Sequence, residues 1–266
     1  MATIMKCYCL ASSSAGNCFI FDFDIEGKST KVMVECGIGM REIYAKCNEN
    51  NIDLSEIQAC LITHSHQDHC KSAKDLYKRN IPLIAHFKTL EQLNLKGQGI
   101  MPKQKFRVAN GLFGMAFDVE HDIEGSVGYI LKTENECVIF IIDHKKFKSN
   151  LTHLKPDYVF IECNYDQKVV YPQIYELNKR KEELLPNDSE RHEINIKLKQ
   201  FDRNINSHAS LSGCEKGLAK MDLSNCKAIF LTHLSDRYAN EYKMKNEIQS
   251  IFRVKTYVCR KNGGLK

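Results

Sequence analysis

Six consecutive residues, His64-Ser65-His66-Gln67-Asp68-His69, put three imidazoles and one carboxylate into a single short stretch. Such a stretch makes poor helix and poor core. At the mouth of a buried strand, however, a tight turn can aim alternate side chains at one point. Imidazole and carboxylate suit zinc, iron or manganese. A structural zinc site is usually tetrahedral and rich in thiolate, so these ligand types point elsewhere, and they are too many for one closed site. Further candidates end apolar runs: His121 after MAFDVE, Asp143 after VIFII, and His233 after AIFLT. Each alone would pass for an ordinary polar residue at a strand end. Together with the motif they supply what a two-metal centre needs.

The elements that must position these residues can be read from periodicity and turn residues. Strands are expected at 4–10, 18–24 and 31–36, with SSSAGN at 12–17 as a tight turn. REIYAKCNENN reads as a helix, and the apolar run IQACLIT (57–63) as a buried strand that opens directly into the histidine motif. A helix in CKSAKDLYKRN, a strand in IPLIAH and a short helix in TLEQLNL follow. From 105 to 143 the pattern is a strand meander, and DYVFIEC (157–163) adds one more strand. Residues 168–206 are polar; between 176 and 203, Lys and Arg at seven positions are matched by seven acids, and the stretch reads as one or two long helices interrupted at Pro186. A helix at 211–221, the strand KAIFLTH, a helix after Asp236 and a last strand, FRVKTYVC, complete the chain. Strands with helices between, given twice over, predict a four-layer αββα sandwich of class α/β, in one domain spanning 1–266 with the charged helices as an insertion.

The bulk properties narrow the setting. A chain of 266 residues with 43% hydrophobic content can bury a substantial core. The net charge of +5 is compatible with a phosphate-bearing substrate without demanding one. Twelve cysteines are scattered, mostly in apolar runs, with no CxxC pair; they read as buried thiols in a reducing cytoplasm. No stretch approaches the length of a membrane span, and the Ser-rich start only superficially resembles a signal peptide.

The order ITHSHQDH, then a histidine, then an aspartate after an apolar strand, then LTH resembles the metallo-β-lactamase superfamily over nearly the whole chain. Within it, LASSSAGNC, HDIEGSVGYIL, IECNYD, SHAS (207–210) and LTHLSDRYAN resemble the YycJ/WalJ-type branch, and the last two are also similar to RNase Z and RNase J. The resemblance implies that His64, His66 and His121 hold one divalent metal (zinc or manganese), that Asp68, His69 and His233 hold a second, and that Asp143 bridges them. Two such ions lower the pKa of bound water to roughly 7 and clamp a phosphoryl or carbonyl oxygen. Asp68 would also orient the nucleophile. By the same resemblance, Glu162 and His208 form a proton relay to the leaving oxygen. Ser235 and Arg237, just past His233, are placed to contact a phosphate, and Arg237 would equally suit a structural ion pair. Departures lie at Glu35, where the family has an aspartate and which bears on loop support, in HKKFKSN after Asp143, and in the long 168–206 stretch.

Three substrates are compatible with this centre. A nuclease acting on DNA or RNA would use basic clusters such as Lys96/Lys103/Lys105/Arg107 and Lys145/Lys146/Lys148, the latter just after a metal ligand. A phosphodiesterase of small cyclic nucleotides or dinucleotides would need a closed pocket. A glyoxalase II-type thioesterase would have no use for His208. Nucleic acid or nucleotide is thus the expected partner, no membrane is, and a homodimer is compatible with all three.

Overall fold

A computed structural model describes residues 5–266, which form two sheets packed face to face. The first sheet follows chain order: β1 (Lys6–Ser13), β2 (Gly16–Ile25), β3 (Lys28–Cys36), β4 (Ile57–Ile62), β5 (Leu83–His86) and β6 (Gln98–Ile100). β1 to β3 are an antiparallel meander, and β3 to β6 are parallel. Parallel neighbours need crossovers, supplied by α1 (Met40–Glu49), by α2 (Gln67–Cys70) with α3 (Ala73–Lys78), and by α4 (Phe87–Leu93). The turn expected at 12–17 is shorter than predicted: β1 and β2 pair as far as Ser13 and Gly16. Residue 4 of the expected first strand lies outside the described residues.

The second sheet begins with the antiparallel meander β7 (Lys105–Ala109), β8 (Leu112–Glu120), β9 (Val127–Lys132) and β10 (Cys137–Ile141), with the two-residue β11 (Lys146–Phe147) on its edge. It continues with parallel strands β12 (Tyr158–Glu162), β13 (Ala228–Thr232) and β14 (Thr256–Val258). The β12–β13 crossover carries α5 (Gln167–Glu183), α6 (Ser189–Ser207) and α7 (Leu211–Leu218); α8 (Glu241–Phe252) joins β13 to β14. The break between α5 and α6 falls at 184–188, around Pro186, which lacks the N–H a helix needs.

Strand alternation builds the layers. On β2, Phe19, Phe21 and Phe23 point between the sheets, whereas Cys18 and Ile20 face the helices. Phe19 meets Phe140 at 5.3 Å and Phe21 meets Phe160 at 4.7 Å between ring centroids, fusing the sheets. Ile139, Ile161 and Ile229 face outward onto Leu218 and Met244 of the second helical layer. Both faces of each sheet are therefore covered, which is why the central strands are almost continuously apolar. The fold is the αββα sandwich. All twelve cysteines lie in the described residues and are free; Cys7 and Cys226 are half-buried and the rest are buried. No helix among the described residues is long and apolar enough to cross a membrane.

Candidate metal centre

The parallel strands β3, β4, β10, β12 and β13 end at one edge of the sandwich, and Glu35, His64, Asp143, Glu162 and His233 sit at those ends. Carboxyl ends of parallel strands are where open sheets leave room for ligands. Asp143 (φ 46°), His233 (φ 56°) and Glu35 (φ 63°) are left-handed, a costly backbone for non-glycine residues that turns each side chain off its strand. The motif follows β4: Thr63 and His64 are buried, His66 caps the single turn of α2, and that turn presents Asp68 and His69. Gly37 lets the motif approach, since a Cβ there would lie 1.6 Å from the Asp68 carbonyl oxygen. The Asn17 amide ties the motif to the first hairpin by donating to Ser13 O and Asp68 O.

Two sets of expected ligand atoms result, each confined within 4.8 Å, and a third group within the same distance joins Asp143 and His233 to Glu162 and His208. In the first, His66 Nδ1 lies 3.1 Å from His64 Nε2 and 3.2 Å from His121 Nε2. His121 Nδ1 faces the Ser207 carbonyl at 3.0 Å and must donate to it, so its Nε2 turns a lone pair into the cluster. In the second, His69 Nε2 is 3.1 Å from Asp143 Oδ2 and 3.2 Å from Asp68 Oδ2, and His233 Nε2 is 3.4 Å from Asp68 Oδ2. Asp143 belongs to both sets. Its Oδ1 is buried without a hydrogen bond, although His233 Nδ1 is 3.1 Å away. Converging lone pairs and an under-satisfied buried carboxylate fit a divalent cation. Behind them, Glu35 Oε2 stands 3.6 Å from His69 Nδ1, the carboxylate backing common to metal-binding histidines.

Electrostatics divide the histidines. Burial would push Asp68, Asp143 and Glu162 up, but neighbouring histidines hold all three below the usual carboxylate range. Burial would lower His69 and His233, but the Asp143 carboxylate, with Glu35 beside His69 and Asp68 and Glu162 beside His233, pushes them up, His233 to about 10. His64 and His121 are lowered, chiefly by burial, and remain neutral donors. Burial wins at Glu35, which is raised despite His69. A cation in the second set would thus displace protons from His69 and His233.

A family model described as a beta-lactamase superfamily domain matches residues 30–184, more than half of the chain, and that span holds His64, His66, Asp68, His69, His121 and Asp143. The chain belongs to the metallo-β-lactamase superfamily. Its curated relatives include "Exodeoxyribonuclease YycJ" of Bacillus anthracis, 27% identical over 50% of this chain and 52% of that protein. "Exodeoxyribonuclease WalJ" of Streptococcus pneumoniae is 24% identical over 60% of this chain and 63% of that protein. The chain thus matches between half and two thirds of the length of these relatives. Among solved structures, the metallo-β-lactamase fold protein YhfI of Bacillus subtilis aligns with TM-score 0.68 at 14% identity over 98% of both chains. Zn2+-bound PqqB of Methylobacterium extorquens aligns with TM-score 0.66 at 13% identity over 99% of both. These two likenesses are of fold.

Around this superfamily site, the remaining candidates fall in different places. His208 Nδ1 is 2.7 Å from Glu162 Oε1, its ring stacks on His233 at 5.0 Å, and its pKa is raised, against burial, by Glu162. Glu162 is held in turn by the backbone N–H groups of His144 and Ala209. Lys145 donates to Asn206 at 2.7 Å, bracing α6, and Lys146 pairs with Glu120 at 3.3 Å and is not among the residues that line the metal pocket. Ser235 Oγ accepts from the Arg237 N–H, and Arg237 lines a groove beside α6 that shares Gln200 with the metal pocket.

Several residues of the pocket were not singled out from the sequence, although Ser14 and Asp122 lie within the family-like stretches LASSSAGNC and HDIEGSVGYIL. Asp122 stands 3.3 Å from both His66 Nε2 and His121 Nε2. Ser14, Gln200, Arg203 and Asn204 line the pocket with it. The SSSAGN stretch also fixes His233, whose N–H donates to Ser12 Oγ. The positions of Asp122 beside His121 and of Ser12 and Ser14 in LASSSAGNC were the signals that could have marked these in advance.

Proposed function

We propose that the protein is a two-metal phosphodiesterase that cleaves nucleic acid strands. His64, His66, His121 and Asp143 would hold one divalent ion, and Asp68, His69, His233 and Asp143 the other, zinc or manganese by ligand type. Bound there, such ions activate water and stabilise charge on a phosphoryl group. Asp68, half-open to the pocket, orients the attacking water. The observation that carries the reading is the His208–Glu162 pair at 2.7 Å on the pocket wall. A phosphodiester leaving group departs as an alkoxide and gains from a proton donor, whereas a thiolate does not need one. Glu162 keeps the imidazole charged and orients it, so that His208 can deliver that proton. The exodeoxyribonuclease relatives support a nucleic acid substrate.

The test is a substrate panel on zinc- and manganese-loaded protein: single- and double-stranded DNA, RNA, cyclic nucleotides, bis(p-nitrophenyl) phosphate and a glutathione thioester. Strand cleavage that stops on chelation is expected. Turnover of the thioester alone would overturn the reading.

A further inference from the structure

Two grooves open off the metal pocket. The larger, about 1050 Å³, shares His121 and Asp122 with it and runs past Lys146 and Lys148. The smaller, about 510 Å³, shares Gln200 and lies between α5, α6 and the loop after β13. Charge separates them. In the larger, three lysines are outnumbered by Asp118, Glu120, Asp122 and Glu124, and Lys146 is already paired. In the smaller, Lys197 and Arg237 face one acid, Glu176, and neither makes an ion pair among the described residues. Tyr238 adds a half-buried ring, packed on Phe201 at 5.2 Å.

On α6, residues 197, 200, 203 and 204 recur at helical spacing and form one face. At its inner end Arg203 is largely exposed and, among the described residues, held only by Asp122 at 3.9 Å, and Asn204 Nδ2 is buried with no hydrogen-bond partner among them. Free donors beside the metal ligands call for an acceptor-rich ligand.

We propose that a single nucleic acid strand leaves the metal pocket along this face of α6. Arg203 and Asn204 contact the phosphate being cleaved, Lys197 and Arg237 hold a neighbouring phosphate, and Tyr238 offers a face on which a base stacks. The inference rests on the phosphodiesterase reading and adds the path of the strand. It also gives the charged crossover helices, which look merely solvated, a role in substrate choice.

The test is the salt dependence of binding, measured by fluorescence anisotropy. It uses metal-loaded protein with hydrolysis-resistant phosphorothioate oligonucleotides, one DNA and one RNA, to distinguish the two sources of strand. Lys197 and Arg237 are exposed, so alanine leaves the fold intact. Each phosphate contact on a single strand contributes about 0.7 to the slope of log K against log salt, so Lys197→Ala/Arg237→Ala should flatten the slope by about 1.4. Lys74→Ala, on the helical layer of the other sheet, should leave it unchanged. An unaltered slope in the double variant overturns the path. So does an equal change in Lys74→Ala, or a change found in Lys146→Ala/Lys148→Ala instead. Cleavage of bis(p-nitrophenyl) phosphate by the wild type is scored separately, so a wrong path and a wrong reaction class give different results.

Discussion

The floor and the roof of the pocket are built differently. The floor is a set of strand ends locked between two sheets and backed by buried side chains: Glu35 behind His69, Thr63 beside His64, Asn17 under the motif. The roof is α6, held by the small cluster Tyr165, Val170 and Phe201 and by surface contacts such as Lys145 to Asn206. Ligands must converge to within a fraction of an ångström, so they sit where neither backbone nor rotamer can drift. A wall that met substrate, as proposed for α6, would tolerate slack and could change without disturbing bound metals. Damage to the floor should therefore abolish chemistry, and damage to the roof should redirect it.

The largest effect is expected at the floor. Asp68→Ala and His69→Ala should each remove nearly all turnover and lower the metal content measured by atomic spectroscopy. Asp143→Ala, which takes a donor from both sets, should lower that content further. Near-normal turnover in the Asp68 and His69 variants would sink the two-metal mechanism. Next comes His208, where floor and roof meet. His208→Ala should slow cleavage of natural phosphodiesters by roughly 10²-fold or more, the usual scale of general acid catalysis. Bis(p-nitrophenyl) phosphate, with its low-pKa leaving group, should suffer far less, at unchanged metal content. Equal losses on both substrates would make His208 a structural residue.

Smaller effects probe the supports. Glu35→Gln removes the carboxylate behind His69 and should weaken metal binding by about 10- to 100-fold in a chelator competition, with little change once metal is saturating. Unchanged affinity would show that Glu35 serves only the Thr63 backbone. The smallest effect is expected where α5 begins. Asp166 caps that helix and pairs with Lys243 of α8 at 2.6 Å; burial opposes its ionisation, but Lys243 holds its pKa low. A depressed carboxylate contributes stability above its unfolded pKa of 3.8, and that stability is lost as pH falls through the lower folded value. Asp166→Asn keeps the cap and deletes the charge. In urea unfolding it should cost about 1 kcal/mol or less at neutral pH, and nothing once Asp166 is protonated in both states. A deficit that persists in acid would assign the effect to lost cap geometry.

How much of this could be read from the chain depends on chemistry and distance. His64, His66, Asp68 and His69 were legible as candidate ligands because three imidazoles and a carboxylate crowd one turn. His121, Asp143 and His233 were legible because each ends an apolar run, a pattern that places a side chain at a sheet edge whatever the fold. The layers followed from the same runs, since a strand buried on both faces has to be apolar throughout. Glu162 and His208 needed the resemblance, because a lone acid and a lone histidine far apart in sequence carry no local signal.

Only the tertiary structure decided the rest. Lys146 stands in a basic run beside the candidate ligand Asp143, yet its partner is Glu120 across a strand pair. Gln200, Arg203 and Asn204 share the composition of any solvated helix, and which way that helix turns depends on the Pro186 break and on the packing of Phe201. Gly37 looks like any loop glycine until the Asp68 carbonyl lies against it. Strand periodicity and ligand chemistry are local properties that a sequence carries on its face. The direction of a surface helix and the partner of a long charged side chain are set by contacts between distant segments, which exist only after the chain has folded.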